Sequence, residues 1–335
     1  MAFPTVCVII AAKNAQETIA RAVASALREA RVSEVVVVDD GSDDATAERA
    51  LAADDGSGRL AIVRLDSNRG PAHARNRAIA MSRAPLLAIL DADDFFLPGR
   101  FDRMLDGEDW DFVADNIVFI DERSMVDRQL AVPRFETAPC FLDAVGFIDG
   151  NISRRGASRG EIGFLKPVMR RAFLDRHALR YDESLRLGED YDLYTRALLK
   201  GARYKIVHDC GYGAVVRADS LSGRHRTEDL KRLYEADRAM LASFDLTPEA
   251  RGALLRHERH VRGRFELRHF LDRKGTRGLI PAGFEALARP SALPAIIRGV
   301  AADKLEALRR SRHNQSSKEP APPRYLLAAR IATQK

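Results

Sequence analysis

Apolar residues near the start of the chain come in short blocks separated by stretches with helical spacing. Val6-Cys7-Val8-Ile9-Ile10 is a continuous, largely β-branched run, the pattern of a strand buried on both faces. Asn14 is placed to cap a following helix whose apolar positions Ile19, Val23, Ala26 and Leu27 share a face. Val35-Val36-Val37-Val38 predicts a second strand. It ends in Asp39-Asp40-Gly41-Ser42-Asp43-Asp44, a turn that feeds a helix over 45–53. Residues 60–65 predict a third strand, Asn68-Arg69-Gly70-Pro71 a turn and 73–83 a helix. A fourth strand over 86–90 ends in Asp91-Ala92-Asp93-Asp94. This alternation predicts an α/β, Rossmann-like fold: a mostly parallel sheet with helices on both faces.

Regularity falls off after residue 110. A strand is expected over 111–121, and a mobile loop over 150–163, which is rich in Gly, Ser and Arg. A helix over 191–200 is ended by Gly201, and two short strands follow over 202–207 and 213–216. Beyond Ser220 the pattern is helical and basic. The expected organisation is an α/β domain over 1–220, divided into halves 1–115 and 116–220. A helical basic extension over 221–310 and a flexible tail over 311–335 complete it.

Composition adds limits. The chain has 335 residues, 46% hydrophobic and 30% charged, in the range of soluble globular proteins. No apolar run approaches the roughly 18 residues of a membrane span. The N-terminal apolar run lacks a basic leader and is taken as the first strand. Cys7, Cys140 and Cys210 are far apart and form no CxxC pair, so neither a zinc site nor a disulfide framework is expected. A reducing, cytoplasmic setting fits. The net charge of +6 concentrates in residues 251–277 and in Arg309, Arg310, Arg312 and Lys318. Such stretches face nucleic acid, anionic lipid or simply water.

The candidate chemistry lies at strand ends. In an open parallel sheet, ligands bind beyond the carboxyl ends of the strands. Lys13-Asn14, Asp39-Asp40 and Asp91 to Asp94 all fall at that edge. Clustered carboxylates repel unless a cation or hydrogen-bond donors compensate. Each Asp alone is equally at home starting a turn or capping a helix. Asp91-Ala92-Asp93 has the hard oxygen donors that Mg²⁺ or Mn²⁺ takes together with substrate phosphates.

Together these motifs resemble a known family. Val8-Ile9-Ile10 with Lys13-Asn14, then Val38-Asp39-Asp40-Gly41-Ser42-Asp43-Asp44, Asn68-Arg69-Gly70 with Ala74-Arg75-Asn76, Leu90-Asp91-Ala92-Asp93-Asp94, and Gly188-Glu189-Asp190-Tyr191 look like the family 2 glycosyltransferases, in order and approximate spacing. The resemblance spans about residues 4–216 and extends to bacterial exopolysaccharide glucosyltransferases of the succinoglycan type. It implies a GT-A fold, with 1–115 binding a nucleotide-sugar and 116–220 the acceptor. By resemblance, Ala11, Ala12, Lys13 and Asp40 contact the nucleobase. Asp40 would accept from uracil N3–H, and Lys13 is alternatively a phosphate contact. Asp39 then shapes the turn. Many relatives carry Pro-Thr-Tyr where this chain has Ala11-Ala12-Lys13, so base contacts are expected to differ in detail.

Arg75 is expected to contact the nucleotide or support the acidic edge, against the alternative of a structural ion pair. Asp91 is assigned to the ribose or the metal, and Asp93 to the metal, Mg²⁺ or Mn²⁺. Asp190 is the candidate general base for one inverting displacement; the alternative is that Glu189 and Asp190 only favour a helix N-terminus. The Gln-x-x-Arg-Trp motif of processive synthases is absent, so one sugar per encounter is expected. Arg154, Arg155, Arg159, Lys166, Arg170 and Arg171 form a basic stretch before the base, able to meet a diphosphate or an anionic acceptor, or merely to be solvated. The implied partners are a UDP-sugar, with glucose the default, and a saccharide acceptor, linked to polyprenyl diphosphate. The basic extension would rest peripherally on the anionic inner face of the cytoplasmic membrane. No nucleic-acid partner is expected.

Rival readings are a nucleotidyltransferase of sugar phosphates and a non-catalytic nucleotide-sugar-binding protein. Residues 11–15 hold no glycine, unlike a triphosphate-binding loop. Neither does G-x-G-x-x-G follow the first strand, which disfavours a dinucleotide-dependent dehydrogenase. A phosphoacceptor receiver domain would be much shorter, with its Asp pair after the first strand.

Overall fold

The computed structural model describes residues 5–105, 107, 109–122, 138–153, 161–216, 226–290, 292–301 and 324–327. These fall into two units, within 1–220 with 321–335 and within 221–320. The first unit is built on one sheet. Its strands are β1 (Val6–Ala12), β2 (Val32–Asp39), β3 (Leu60–Arg64), β4 (Leu86–Ile89), β5 (Phe95–Phe96), β6 (Phe112–Asp121), β7 (Cys140–Leu142), β8 (Val168–Arg170), β9 (Tyr204–Val216) and β10 (Arg324–Tyr325). The main path runs β3-β2-β1-β4-β8-β6-β9-β5, with β7 on β9 and β10 on β6. The first four strands are mutually parallel, as are β6 and β9, while β8 and β5 join antiparallel.

Helix α1 (Ile19–Leu27) follows β1, α2 (Thr46–Leu51) follows β2 and α3 (Pro71–Met81) follows β3. The chain steps outward from β1 to β2 to β3, then returns past β1 to β4. With right-handed crossovers, this puts α3 on the opposite face from α1 and α2. The direction reverses between β1 and β4, whose carboxyl ends therefore flank the crevice where such sheets bind ligands. β4 is fully buried and β1 is buried except at Ala11, which explains their unbroken apolar sequences. Helices α4 (Arg100–Met104), α5 (Ala144–Gly150), α6 (Arg171–Arg176) and α7 (Glu189–Leu199) complete this unit.

Arg100 anchors its floor. The side chain is almost fully buried and forms a bidentate pair with Asp115 on β6, the closest contact being 2.7 Å, and it also donates to the Lys166 carbonyl at 2.7 Å. A Cβ on Gly211 would lie 2.3 Å from Arg100 Cγ, so only glycine fits where β9 crosses this pair. Glu29 holds the start of α4 by accepting from the Gly99 amide at 2.7 Å and the Phe101 amide at 3.2 Å. Glu29→Ala leaves both amides buried without these acceptors. It is expected to cost about 2 kcal/mol of stability, measured by urea unfolding.

Several elements differ from expectation. Asn14 caps nothing: it takes a left-handed φ of 50°, and α1 begins five residues later, at Ile19. Its side chain instead accepts from the Asp43 amide at 3.0 Å, stitching β1 to the acidic turn. The two short strands expected over 202–207 and 213–216 are one long β9, whose register against β6 slips between Ile206 and Cys210. The polar pair His208-Asp209 that broke the apolar pattern lies in that irregularity. The expected mobile loop includes residues 154–160, which lie outside the described residues. The expected tail is not wholly flexible: Arg324 and Tyr325 pair with β6, and the Leu327 amide donates to Asn116 Oδ1 at 2.8 Å.

The second unit is helical, as the sequence pattern predicts: α8 (Thr227–Ser243), α9 (Pro248–Arg277) and α10 (Leu279–Leu287), with a further helical stretch over 293–301. Thr247 caps α9 by accepting from the Ala250 amide, ahead of Pro248. Buried His257 on α9 bonds to buried Asp237 on α8 at 2.7 Å. Arg309, Arg310, Arg312 and Lys318 lie outside the described residues. Among the described residues, no helix is long and apolar enough to cross a membrane.

Candidate active site

Three carboxylates and two cations meet at the end of β4. Arg75, on α3, is buried, and its guanidinium reaches Glu189 at 2.7 Å, Asp91 at 3.0 Å and Asp190 at 3.2 Å. Lys166, also buried, places its Nζ 2.9 Å from Asp91 and 2.8 Å from Asp190. Asp91 ends β4; Glu189 and Asp190 open α7 after Gly188, whose φ of 75° lets the chain turn sharply into the helix. Elements far apart in sequence thus deliver one ionic cluster to the crevice beyond β4.

Electrostatics follow from that packing. Burial works against a charged Asp91, but the Lys166 and Arg75 charges outweigh it and hold its pKa near 2. Burial likewise opposes the charge on Lys166, and the Asp190 and Asp91 carboxylates more than reverse this, raising its pKa. Arg75 is raised well above its ordinary value against burial by Asp190 and Glu189. Burial, together with the neighbouring Asp190 charge, pushes Glu189 upward. Asp94 behaves oppositely to Asp91: burial, then the charges of Asp91 and Asp93, push it well above the carboxylate range. It accepts from the Tyr212 hydroxyl at 2.8 Å and the Val215 amide at 2.9 Å, and that hydroxyl accepts from the Asp91 amide at 3.1 Å. Asp94 therefore braces the strand end.

The neighbouring strand ends carry the other candidates. Ala11 and Ala12 close β1, with Ala12 paired in register to Asp39. Lys13 donates to the Gly41 carbonyl and lies 3.1 Å from Asp43. The two Asp40 oxygens accept from the Arg69 amide at 2.7 Å and the Gly70 amide at 2.8 Å. Each carboxylate oxygen has a second lone pair, so these bonds leave Asp40 capable of accepting from a base. Asp39 accepts from the Ser42 amide at 2.9 Å and shapes the turn. Gly41 has a φ of 67°, and a Cβ there would lie 2.7 Å from the Ser67 backbone.

The structure thus joins Arg75, Asp91 and Asp190 directly and puts Lys13 and Asp40 in the loops alongside. Two partners escaped the sequence reading. In the sequence Lys166 stands only within the basic stretch before the base, and Asp94 only as the last residue of the acidic strand-end motif, with no role of its own. A signal for Lys166 exists: it interrupts the apolar context of Leu165 and Val168, and a lone charge in a buried run needs a buried counter-ion. Of that stretch, Arg170 lies over the Trp110 ring and Arg171 donates to the Ala84 and Ile79 carbonyls. Arg154, Arg155 and Arg159 lie outside the described residues.

A divalent cation fits this edge with one qualification. Among the described residues, no group of three or more His, Cys, Asp or Glu is arranged to hold a metal alone. Magnesium commonly needs only one or two protein carboxylates and takes its other oxygens from phosphates and water. Asp91, however, has one oxygen on Arg75 and the other on Lys166. Half-buried Asp93 is the other carboxylate of this motif that could hold a cation together with phosphates.

Comparison with known proteins gives the family and the fold. The family model described as "Glycosyl transferase family 2" matches residues 7–176. Succinoglycan biosynthesis protein ExoU of Rhizobium meliloti (strain 1021) is 63% identical over 311 residues, covering 92% of this chain and 91% of that protein. ExoO of the same organism, also a succinoglycan biosynthesis protein, is 36% identical, covering 95% and 91% respectively. Among solved structures, S. aureus TarS 1-349 in complex with UDP-GlcNAc superposes with a TM-score of 0.57 at 19% identity, over 88% of this chain and 79% of that one.

Proposed function

The chain belongs to glycosyl transferase family 2 and has the GT-A fold, and from that premise we propose that it is an inverting, non-processive enzyme moving glucose from UDP-glucose to a lipid-linked saccharide during exopolysaccharide assembly. The observation that carries the mechanism is the cluster in which Arg75 and Lys166 tie Asp91 to Asp190 across the crevice. The succinoglycan role in the names of ExoU and ExoO supports the pathway class, and the UDP-GlcNAc bound by TarS supports a UDP-sugar donor.

In this reading Asp190 takes the proton of the acceptor hydroxyl as its oxygen attacks the anomeric carbon, and the bond from that carbon to the diphosphate breaks on the opposite side. One such displacement inverts the centre and needs one carboxylate facing the acceptor. Arg75 and Lys166 hold that carboxylate in place. Asp40 and the β1 end receive the base, and Asp91 the ribose. Asp93 would hold Mg²⁺ or Mn²⁺, which would supply charge neutralisation at the departing diphosphate.

The direct test incubates the protein with UDP-glucose, UDP-galactose or UDP-GlcNAc, Mg²⁺ or Mn²⁺, and bacterial lipid extract. UDP release and a glycosylated lipid are expected with UDP-glucose, and loss of both on adding chelator. No UDP release under any combination would remove the proposal. Asp93→Ala is expected to lose Mn²⁺ binding, followed by the paramagnetic resonance of free Mn²⁺ in the presence of UDP. Undiminished binding would reassign the metal.

A further inference from the structure

Helix α10 is built inside out. Its inward positions are small: Ala282 and Ala286 are buried, Ala286 packing with Ala292 and Ile296. Its large residues face outward, with Ile280 74% exposed, Phe284 70%, Leu287 63% and Leu279 61%. At helical spacing, Ile280, Phe284 and Leu287 fall within about 60° of one another. They form one apolar face that packing within the second unit does not explain. Ile297, in the following helical stretch, is 64% exposed as well. An exposed apolar surface of this kind marks a contact with something else.

The surrounding charge selects the partner. Residues 268–298 contain six basic and two acidic residues. Lys274 and Arg277 lie exposed in the last turn of α9, and Arg289 lies just past α10. The one acid on α10, Glu285, is taken by Arg273 at 2.8 Å and Arg277 at 3.4 Å. Apolar side chains ringed by cations, with the one acid on the helix already paired and Arg289 only loosely paired to Glu266 at 4.0 Å, suit an interface of acyl chains and anionic headgroups. A second copy of the chain suits it less, because a symmetric contact would bring two basic rims together.

We propose that the outward face of α10 docks on an anionic lipid surface, with Ile280, Phe284 and Leu287 at the acyl boundary and Lys274, Arg277 and Arg289 at the headgroups. Nine residues are too few to span a bilayer, so the helix lies in the interfacial plane. The proposal stands on α10 and its rim and does not depend on the chemistry proposed above. That chemistry, if it uses a lipid-linked acceptor, acquires a reason for the surface.

The test uses the full chain and sedimentation with vesicles of phosphatidylcholine alone or mixed with phosphatidylglycerol. Binding is expected to the mixed vesicles only and to weaken as salt rises. The double variant Ile280→Ser with Phe284→Ser removes only exposed side chains and should keep the wild-type melting temperature. Its vesicle affinity is expected to fall roughly tenfold or more, with UDP release on a water-soluble acceptor unchanged. Absence of wild-type binding, or equal binding by the variant, overturns the proposal. So does wild-type self-association that the variant abolishes while vesicle binding is absent, which would assign the face to a second copy. Failure of glycosyl transfer with intact vesicle binding would leave the docking face standing and count against the catalytic reading alone.

Discussion

Asp190→Asn is expected to lower kcat by roughly 10²- to 10⁴-fold, the range for removing a positioned general base. The amide keeps the shape of the carboxylate, but its one oxygen can accept from only one of Arg75 and Lys166, which bond to different oxygens of Asp190, and it cannot take the acceptor proton. Its effect should therefore fall on turnover. UDP binding, measured by calorimetry, should change little, since Asp190 lies on the acceptor side of the cluster in the proposed mechanism. Glu189→Gln is the control. It changes the adjacent carboxylate, which bonds to the same Arg75 guanidinium at 2.7 Å, and is expected to leave most of the activity. Wild-type turnover in Asp190→Asn would end its assignment as the base. A comparable loss in Glu189→Gln alone would move the role one residue.

Much of the first unit was legible because its determinants are local. The buried apolar runs of β1, β2 and β4 announce themselves in the sequence, and their polar ends follow from where the crevice lies. The alternation of elements and the handedness of crossovers predict a parallel sheet with helices packed on it, while the order β3-β2-β1-β4 comes from the structure. What escaped was non-local. Asn14 has the composition of a cap, yet its side chain bonds to a loop near it only after β1 and β2 have paired. Residues 208–209 look like a break until β6 supplies a partner that tolerates a bulge. Arg324 and Tyr325 sit in a polar, proline-bearing context, and only the free edge they find on β6 orders them. The candidate site divides the same way. Asp40, Asp91, Asp93 and Asp190 belong to motifs readable in one dimension. Lys166 belongs to none, and its role follows from two carboxylates, one on each side of it in sequence, that the fold brings to its ammonium.

Lys166→Met is expected to lower kcat by about 10²-fold through misplacement of Asp190 and to cost about 3 kcal/mol of stability. Among the described residues, the ammonium and the Arg75 guanidinium are the groups that reach both Asp91 and Asp190. Without it, buried Asp190 and half-buried Asp91 face one another with a single cation between them, and they either repel or take up protons. Two further variants separate positioning from simple packing. Lys166→Arg restores the charge on a larger, planar group, so stability should recover more than kcat. Lys166→Met combined with Asp91→Asn removes one carboxylate along with the cation. Its stability loss should be smaller than the sum of the two single losses, the signature of a direct pair. Turnover should stay low in the double variant, because Asp190 still lacks the ammonium that aimed it. If Lys166→Met turned over normally, or if the two stability losses simply added, the bridge seen between Asp91 and Asp190 would carry neither the stability nor the alignment assigned to it.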